Sequence, residues 1–345
     1  MSFSRLRMRV VSCWLRAWYS PHLVCWLWPL LPFSWLVAWV AQRRYRRFCA
    51  VPKARSSVPV VVVGNLTAGG VGKTPLVAAL AGHFRQQGYK PAIVSRGYGV
   101  PLRTRRSHPV RRVTADSDPR FCGDEPVMLA RDTDVPVMVG ADRRLAVETL
   151  LQTTDCDLVI SDDGLQHYGL QRDIELVVMD GQRRFGNGWC LPAGPLREPV
   201  TRLADVDWVI CKEGQPPAVH GPRGLCMRLK PGCLLPVAGC ETAGQMPRPG
   251  AAVSAVAGIG HPAPFFESLE KMGFDVTPCP FPDHHSFTLA ELESLGTGPL
   301  IMTAKDAVKC RAFARPGWWY LTLDVQLPDF FWRHLQRQLA QLRSV

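Results

Sequence analysis

None of the twelve cysteines stands in a Cys-x-x-Cys pair. Cys226, Cys233 and Cys240 recur at seven-residue intervals, but glycines and prolines interrupt the stretch and no metal cluster is expected there. Reduced, mostly buried thiols of a cytosolic domain are the expectation. No Asn-Lys-x-Asp occurs, so the guanine-reading element of a GTPase is missing. Internal repeats and low-complexity tracts are absent too. Negative charge is in short supply: 29 acidic residues face 41 Lys and Arg, a net charge of +12. Such an excess points to an acidic partner, whether nucleic acid, anionic lipid or a phosphorylated substrate. The interleaving of aromatic and basic residues that single-strand binding uses is not found beyond the N-terminal segment.

Charge of either sign is lacking from Ala17 to Gln42. Within that stretch Leu23–Ala41, nineteen residues, would rise about 28 Å as a helix, close to the hydrocarbon thickness of a bilayer. Six of the eleven tryptophans precede residue 40, and the arginine-rich "RRYRR" (Arg43–Arg47) follows at once. Pro29 and Pro32 would kink a span, and Arg5, Arg7, Arg9 and Arg16 make the other flank basic as well. The expectation is a membrane anchor over residues 1–50 that crosses the bilayer, with an interfacial helix as the alternative. No small-residue cleavage site separates the apolar run from the arginines, so a cleaved signal peptide is not expected.

With 345 residues, 47% of them apolar, the chain can bury a full core. Beyond the arginines, short apolar runs such as "VPVVVVGN", "VPVMVG", "CDLVISDDG" and "DWVICKEG" alternate with amphipathic stretches such as "KTPLVAALAGHFRQQG" and "DRRLAVETLL". That alternation indicates a parallel sheet covered on both faces. Residues 214–250 are rich in Pro, Gly and Cys and read as a connector with a short hairpin. A second unit begins at "AAVSAVAGIG" and contains "TLAELESLG", a capping box of Thr288 and Glu291. The fold class is therefore α/β. A phosphate-loop NTPase-like parallel sheet (51–213) carries helices on both faces, with a smaller α/β unit (251–345) and the N-terminal membrane helix.

"NLTAGGVGKTP", residues 65–75, follows the apolar run Val58–Val63 and carries a Gly-Lys-Thr, but the first glycine of the usual phosphate loop is replaced by Thr67. The loop Thr67, Ala68, Gly69, Gly70, Val71, Gly72, Lys73 and Thr74 is the candidate nucleotide site. Gly69, Gly70 and Gly72 let backbone N–H groups converge on phosphate oxygens, Lys73 can reach the β- and γ-phosphates, and the Thr74 hydroxyl can hold Mg²⁺. Pro75 falls in the first helical turn, where its missing donor costs little. Asp162 and Asp163 end an apolar strand downstream, as a magnesium-associated pair does; strand-end aspartates are also common in turns. "GGVGKT" is shared with partitioning ATPases, but the place of their signature lysine is Ala68 here.

Seven motifs in order, "GNLTAGGVGKTP", "SRGYG", "GDEP", "DDGLQH", "FGNGWCLPAGPLREP", "FPDHHSF" and "TAKDAVK", resemble the tetraacyldisaccharide 4′-kinase (lipid A 4′-kinase) family of Gram-negative bacteria. Thr67 is that family's own form of the loop. The resemblance implies ATP and Mg²⁺ as cofactors and a lipid substrate, tetraacyldisaccharide 1-phosphate, phosphorylated on its 4′-hydroxyl to lipid IVA. It also implies a catalytic domain on the cytoplasmic face of the inner membrane, contact with membrane phospholipids, and no nucleic acid. Asp124 and His284 correspond to an aspartate–histidine dyad that accepts the sugar proton, with Lys73 as the third catalytic residue. Thr74, Asp162, Asp163 and Glu125 are the metal candidates; which aspartate touches the ion is left open, and Glu125 could merely favour a helix N-terminus. Tyr98, Asn187, Arg197 and Glu198 are the substrate candidates, against an ordinary strand-end tyrosine at 98 and a surface salt bridge at Arg197. Lys305, Asp306 and Lys309 could bind substrate phosphate or cap a helix. The rival readings are a membrane-associated ATPase switch without acceptor, and a nucleic-acid binder suggested by charge alone.

Overall fold

The computed structural model describes residues 13–51, 56–97, 109–217, 223–238 and 244–343. A 3₁₀ turn (Cys25–Leu30) leads into helix α1 (Leu31–Ala50). Next come β1 (Val60–Gly64), α2 (Lys73–Gln86), β2 (Pro91–Ser95), β3 (Val110–Val113), α3 (Pro119–Cys122), α4 (Asp124–Thr133) and β4 (Val137–Gly140). Helix α5 (Arg143–Thr153) precedes β5 (Leu158–Asp162), β6 (Ile174–Asp180), β7 (Trp208–Lys212) and β8 (Arg223–Pro236). The rest is β9 (Ala252–Ala257), α6 (Ala263–Lys271), β10 (Asp275–Pro280), α7 (Leu289–Glu293), β11 (Leu300–Thr303), α8 (Ala304–Cys310), β12 (Trp318–Gln326) and α9 (Asp329–Arg343). The fold is α/β with mostly parallel strands, in two compact units that cut across chain order.

The first unit comprises Met1–Lys73, Cys156–Arg228 and Leu327–Val345. Its strands run β8-β7-β6-β1-β5, all parallel. Every residue of β1 is buried, as its unbroken valines require of a strand covered on both faces. Val63 pairs with Asp162, so β1 and β5 end level and the loop after β1 leaves the same edge as the two aspartates. That carboxyl edge is where open α/β sheets bind ligands. A Cβ at Gly64 would lie 2.4 Å from the Leu165 Cβ, so only glycine lets the "DDGL" turn close over the strand end. Leu66, Leu165, Val177, Met179 and Val209 form the core beneath. Helix α9 buries Phe331, Leu335 and Leu339, one helical face, and Phe331 meets Trp208 edge-on at 5.1 Å.

The N-terminal apolar run is two elements. Pro29 lies inside the 3₁₀ turn and Pro32 in the first turn of α1, where a proline needs no helical acceptor. Val37 and Ala38 pack on the core of the first unit. The buried Ser34 hydroxyl accepts from the Ala193 amide at 3.0 Å, and the Trp18 indole donates to the Pro192 carbonyl at 2.9 Å. No helix among the described residues is long and apolar enough to cross a membrane.

The second unit comprises Thr74–Asp155 and Leu229–Gln326. Strands β10-β9-β11-β12 are parallel, β2 is parallel to β4, and β3 runs antiparallel to β4. Alternate residues of β12 serve opposite faces: Trp318 and Tyr320 join the cluster under α7 and α8, Trp319 and Leu321 the one under α6. The capping box at Thr288 and Glu291 forms as its sequence suggests. β3, β8 and β10 carry little strand signal in the sequence. β10 contains Pro278 and Pro280, which an edge strand tolerates because part of its backbone pairs with nothing. The stretch read as connector and hairpin contains one 14-residue strand, β8.

Candidate functional site

Two clusters carry chemistry, and each forms within a single unit. In the first, Gly69 and Gly72 have φ of 102° and 88°, which only glycine adopts cheaply, and open space lies beside Gly69 and Gly70. Such a backbone suits a polyphosphate. Lys73 begins α2, and its Nζ lies 3.0 Å from Asn65 Oδ1 and 3.3 Å from Asp163 Oδ1. An ammonium has three N–H donors, and these two partners take two. Arg197 Nη1 adds a second cation 3.1 Å from the same Asp163 oxygen and also donates to Gln166 Oε1 at 3.3 Å. Burial acts to raise the Asp163 carboxyl pKa, but Lys73 and Arg197 outweigh it and hold the group below the usual carboxylate range. Asp162 is buried at the end of β5, and Asp163 follows with φ 49°.

In the second cluster Asp124 opens α4, and its Oδ2 lies 3.1 Å from His284 Nδ1, across 160 positions of sequence. Lys309 Nζ stands 3.6 Å from that carboxylate oxygen. Lys309 is itself fixed by the fully buried Asp306, 2.9 Å away, whose other oxygen accepts from the Gly258 amide and the Thr303 hydroxyl. Lys305 Nζ approaches His284 Nε2 at 3.2 Å, Asp283 at 3.5 Å and Glu125 at 3.7 Å. Burial pushes the Asp124 carboxyl up, yet His284, Lys309 and Lys305 together hold it below its ordinary value. His284 has φ 60°, a left-handed backbone that turns it away from the path of its neighbour. His285 instead meets Glu291 at 3.3 Å and stacks among Phe281 and Phe287. The resemblance singles out His284, and the two histidines have separate partners.

Several candidates have other roles. The Ala68 amide donates to the Pro195 carbonyl at 2.7 Å and Thr67 bridges to Leu196, so the first half of the loop is pinned to the 195–197 segment and the Ala68 N–H is committed before any phosphate arrives. Asn187 is engaged within its own loop: its amide donates to the Ala193 carbonyl at 2.9 Å and its oxygen accepts from the Trp189 N–H at 3.2 Å. It stitches the loop on which Trp18 and Ser34 dock. Glu198 is likewise withdrawn, buried and bonded to the Tyr168 hydroxyl at 2.7 Å beside Arg202. Burial raises its carboxyl pKa, and Tyr168 and Arg202 oppose the rise without reversing it. Arg202 also binds both oxygens of Glu175 at 2.6 Å, and α1 covers this network with the Tyr45 ring 4.1 Å from the guanidinium. Glu125 faces Lys305, as above, and Tyr98 lies outside the described residues. Asn65, Gln166, Lys305 and Lys309 do more than the sequence discloses. Asn65 and Gln166 sit inside recognised motifs, which was the available signal.

A glycine-rich loop and lysine between a buried strand and a helix, with an acidic pair ending the neighbouring parallel strand, define a phosphate-loop nucleotide-binding protein. The dyad adds an acid–base function that nucleotide binding alone does not need. The chain belongs to the tetraacyldisaccharide-1-P 4′-kinase family, whose model matches residues 26–340. A tetraacyldisaccharide 4′-kinase of Alkalilimnicola ehrlichii is 51% identical over 295 residues, 86% of each chain. One of Ectopseudomonas mendocina is 46% identical over 332 residues, 95% of this chain and 97% of its own. The fold is similar to a crystal structure of LpxK from Aquifex aeolicus in complex with ATP, with a TM-score of 0.73 and 26% identity over 91% of this chain and 98% of that one.

Proposed function

We propose that the chain transfers the γ-phosphate of ATP to the 4′-hydroxyl of tetraacyldisaccharide 1-phosphate, giving lipid IVA. Family membership over nearly the whole length supports the substrate. The observation that carries an acceptor kinase rather than an ATPase switch is the Asp124–His284 pair at 3.1 Å. In the transfer the sugar O–H loses its proton to this dyad, its oxygen bonds to phosphorus, and the bond to ADP breaks. Asp124 is ionised at neutral pH and so free to accept a proton, and His284 fixes its direction. Lys73 and Arg197 supply fixed positive charge where negative charge shifts during transfer. Mg²⁺, when bound, would supply positive charge to the phosphates. Thr74, Asp162, Asp163 and Glu125 supply the oxygen donors that would hold it, the hard ligands Mg²⁺ prefers.

The lipid substrate calls for membrane access, and α1 offers it. Trp28, Phe33, Trp35, Leu36 and Trp39 are all more than half exposed, next to Arg43, Arg44, Arg46 and Arg47. The opposite side of the helix is committed to the core through Val37 and Ala38. This division favours a helix lying in the interface of the inner membrane's cytoplasmic leaflet, indoles down and arginines on phospholipid headgroups. The defining assay is incubation with tetraacyl disaccharide 1-phosphate, ATP and Mg²⁺ in detergent, followed by mass analysis of the lipid. A gain of one phosphate on the glycolipid is expected; ATP hydrolysis that leaves the lipid mass unchanged sinks the assignment.

A further inference from the structure

Thr67 stands where a phosphate loop usually has a glycine, so something besides backbone freedom has to set the bend. Asn65, directly after β1, is fully buried. Its Nδ2 donates to the Thr67 carbonyl at 2.7 Å and to the Gly69 carbonyl at 3.4 Å. Its Oδ1 accepts from Lys73 Nζ at 3.0 Å. The amide has one permissible orientation, because an ammonium only donates and a backbone carbonyl only accepts. The Asn65 backbone carbonyl also takes Gln166 Nε2 at 3.0 Å, which links the strand end to the residue that holds Arg197.

We propose that Asn65 is a positioning residue for ATP: its amide sets the loop bend in place of the missing glycine and holds the Lys73 ammonium ready for the β- and γ-phosphates. The inference rests on the nucleotide reading above and deepens it. A lysine stem has four rotatable carbons, and ordering it on binding costs entropy. A buried, neutral acceptor beside the Asp163 carboxylate lowers that cost in advance without adding a further negative charge for phosphate to displace. Asparagine is the side chain that can do this while also donating to Thr67 and Gly69. Serine and alanine are too short to reach Lys73, and aspartate cannot donate.

The test is an ATP·Mg²⁺ titration of the full-length protein in detergent, for the wild type, Asn65→Ala, Lys73→Ala and the double variant. Asn65→Ala should weaken ATP by about tenfold or more, the loss of a charge-assisted hydrogen bond. In the Lys73→Ala background the same change should cost clearly less, because the part of the loss that runs through Lys73 is already gone and only the bend remains. Equal losses in both backgrounds, or no loss in the first, overturn the proposal. Should Asn65→Ala fail to fold, the isosteric Asn65→Asp decides: it keeps an acceptor for Lys73 but gives up the bonds to Thr67 and Gly69. Weakened ATP with an unchanged KM for the lipid is expected of it, and wild-type ATP affinity refutes the role. A wild-type protein that binds no ATP removes the kinase reading itself, a failure distinct from normal binding that ignores position 65.

Discussion

Replacing Asp124 with Asn takes away a base and leaves its shape. The Asn oxygen can occupy the place of Oδ2, accept from His284 Nδ1 at the same 3.1 Å and remain 3.6 Å from Lys309 Nζ. The start of α4 at Asp124, set by the positive φ of Gly123, is untouched. The contact with His284, 40% exposed, contributes about 1 kcal/mol or less to stability; the loss of charge beside Lys309, 9% exposed, costs more, although Lys309 keeps Asp306 at 2.9 Å. Loss of general-base catalysis is larger, about 10² to 10⁴ in rate, which is roughly 3–5 kcal/mol of barrier. Initial-rate assays on detergent-solubilised lipid should therefore show kcat falling by two to four orders of magnitude. The KM for ATP should hold, since no atom of the Lys73 cluster has changed, and the protein should still melt cooperatively, a few degrees lower at most. The pH–rate profile of the wild type should carry its acid limb below the usual carboxylate range, because Asp124 is held there by His284 and its lysines. A kcat within threefold of wild type, in a folded protein, would refute the proton-acceptor role.

Arg202→Met strips two short bonds from the buried Glu175 and a nearby cation from Glu198 and should destabilise the protein by about 3–5 kcal/mol in urea; an unchanged midpoint would show the network to be energetically idle. For Asp163 the folded pKa is depressed, so its contribution to stability is complete above the unfolded value of about 3.9 and disappears as pH falls through the lower folded value. Asp163→Asn should accordingly flatten the loss of stability between about pH 5 and pH 3, and a slope identical to wild type would contradict this. Changing Trp28, Trp35 and Trp39 together to Ser removes most of the exposed indole surface of the N-terminal segment. Sedimentation with vesicles of phosphatidylethanolamine and phosphatidylglycerol should show binding weakened by roughly tenfold or more, and undiminished binding would move the membrane contact elsewhere.

Much of the candidate site was legible because it is local. Eight consecutive residues from Thr67 to Thr74 contain the backbone freedom, the cation and the hydroxyl of a phosphate site, and a buried strand before them with a helix after them is enough to place it. The paired aspartates are legible for the same reason. The partners of Asn187 and Glu198 were not legible, because a polar, glycine-rich loop looks alike whether it touches a ligand or another loop. Their partners, Ala193 and Trp189 in one case and Tyr168 with Arg202 in the other, are chosen by packing. The apolar N-terminal run was long enough in sequence for a bilayer, but its two prolines divide it and one flank of the resulting helix finds a core to cover.

What the order of residues determines by itself is the run of buried strands, the helix caps and the loop geometry, since each depends on neighbours within a few positions. What only the folded chain decides is which distant side chains share a charge. Asp124 acquires His284 from 160 residues away, and two lysines of α8 gather beside them because β9, β11 and the buried Asp306 hold that helix in place. Electrostatic interactions act through space and fall off over a few ångströms, so their partners are set by the sheet that carries the residues and not by their spacing along the chain.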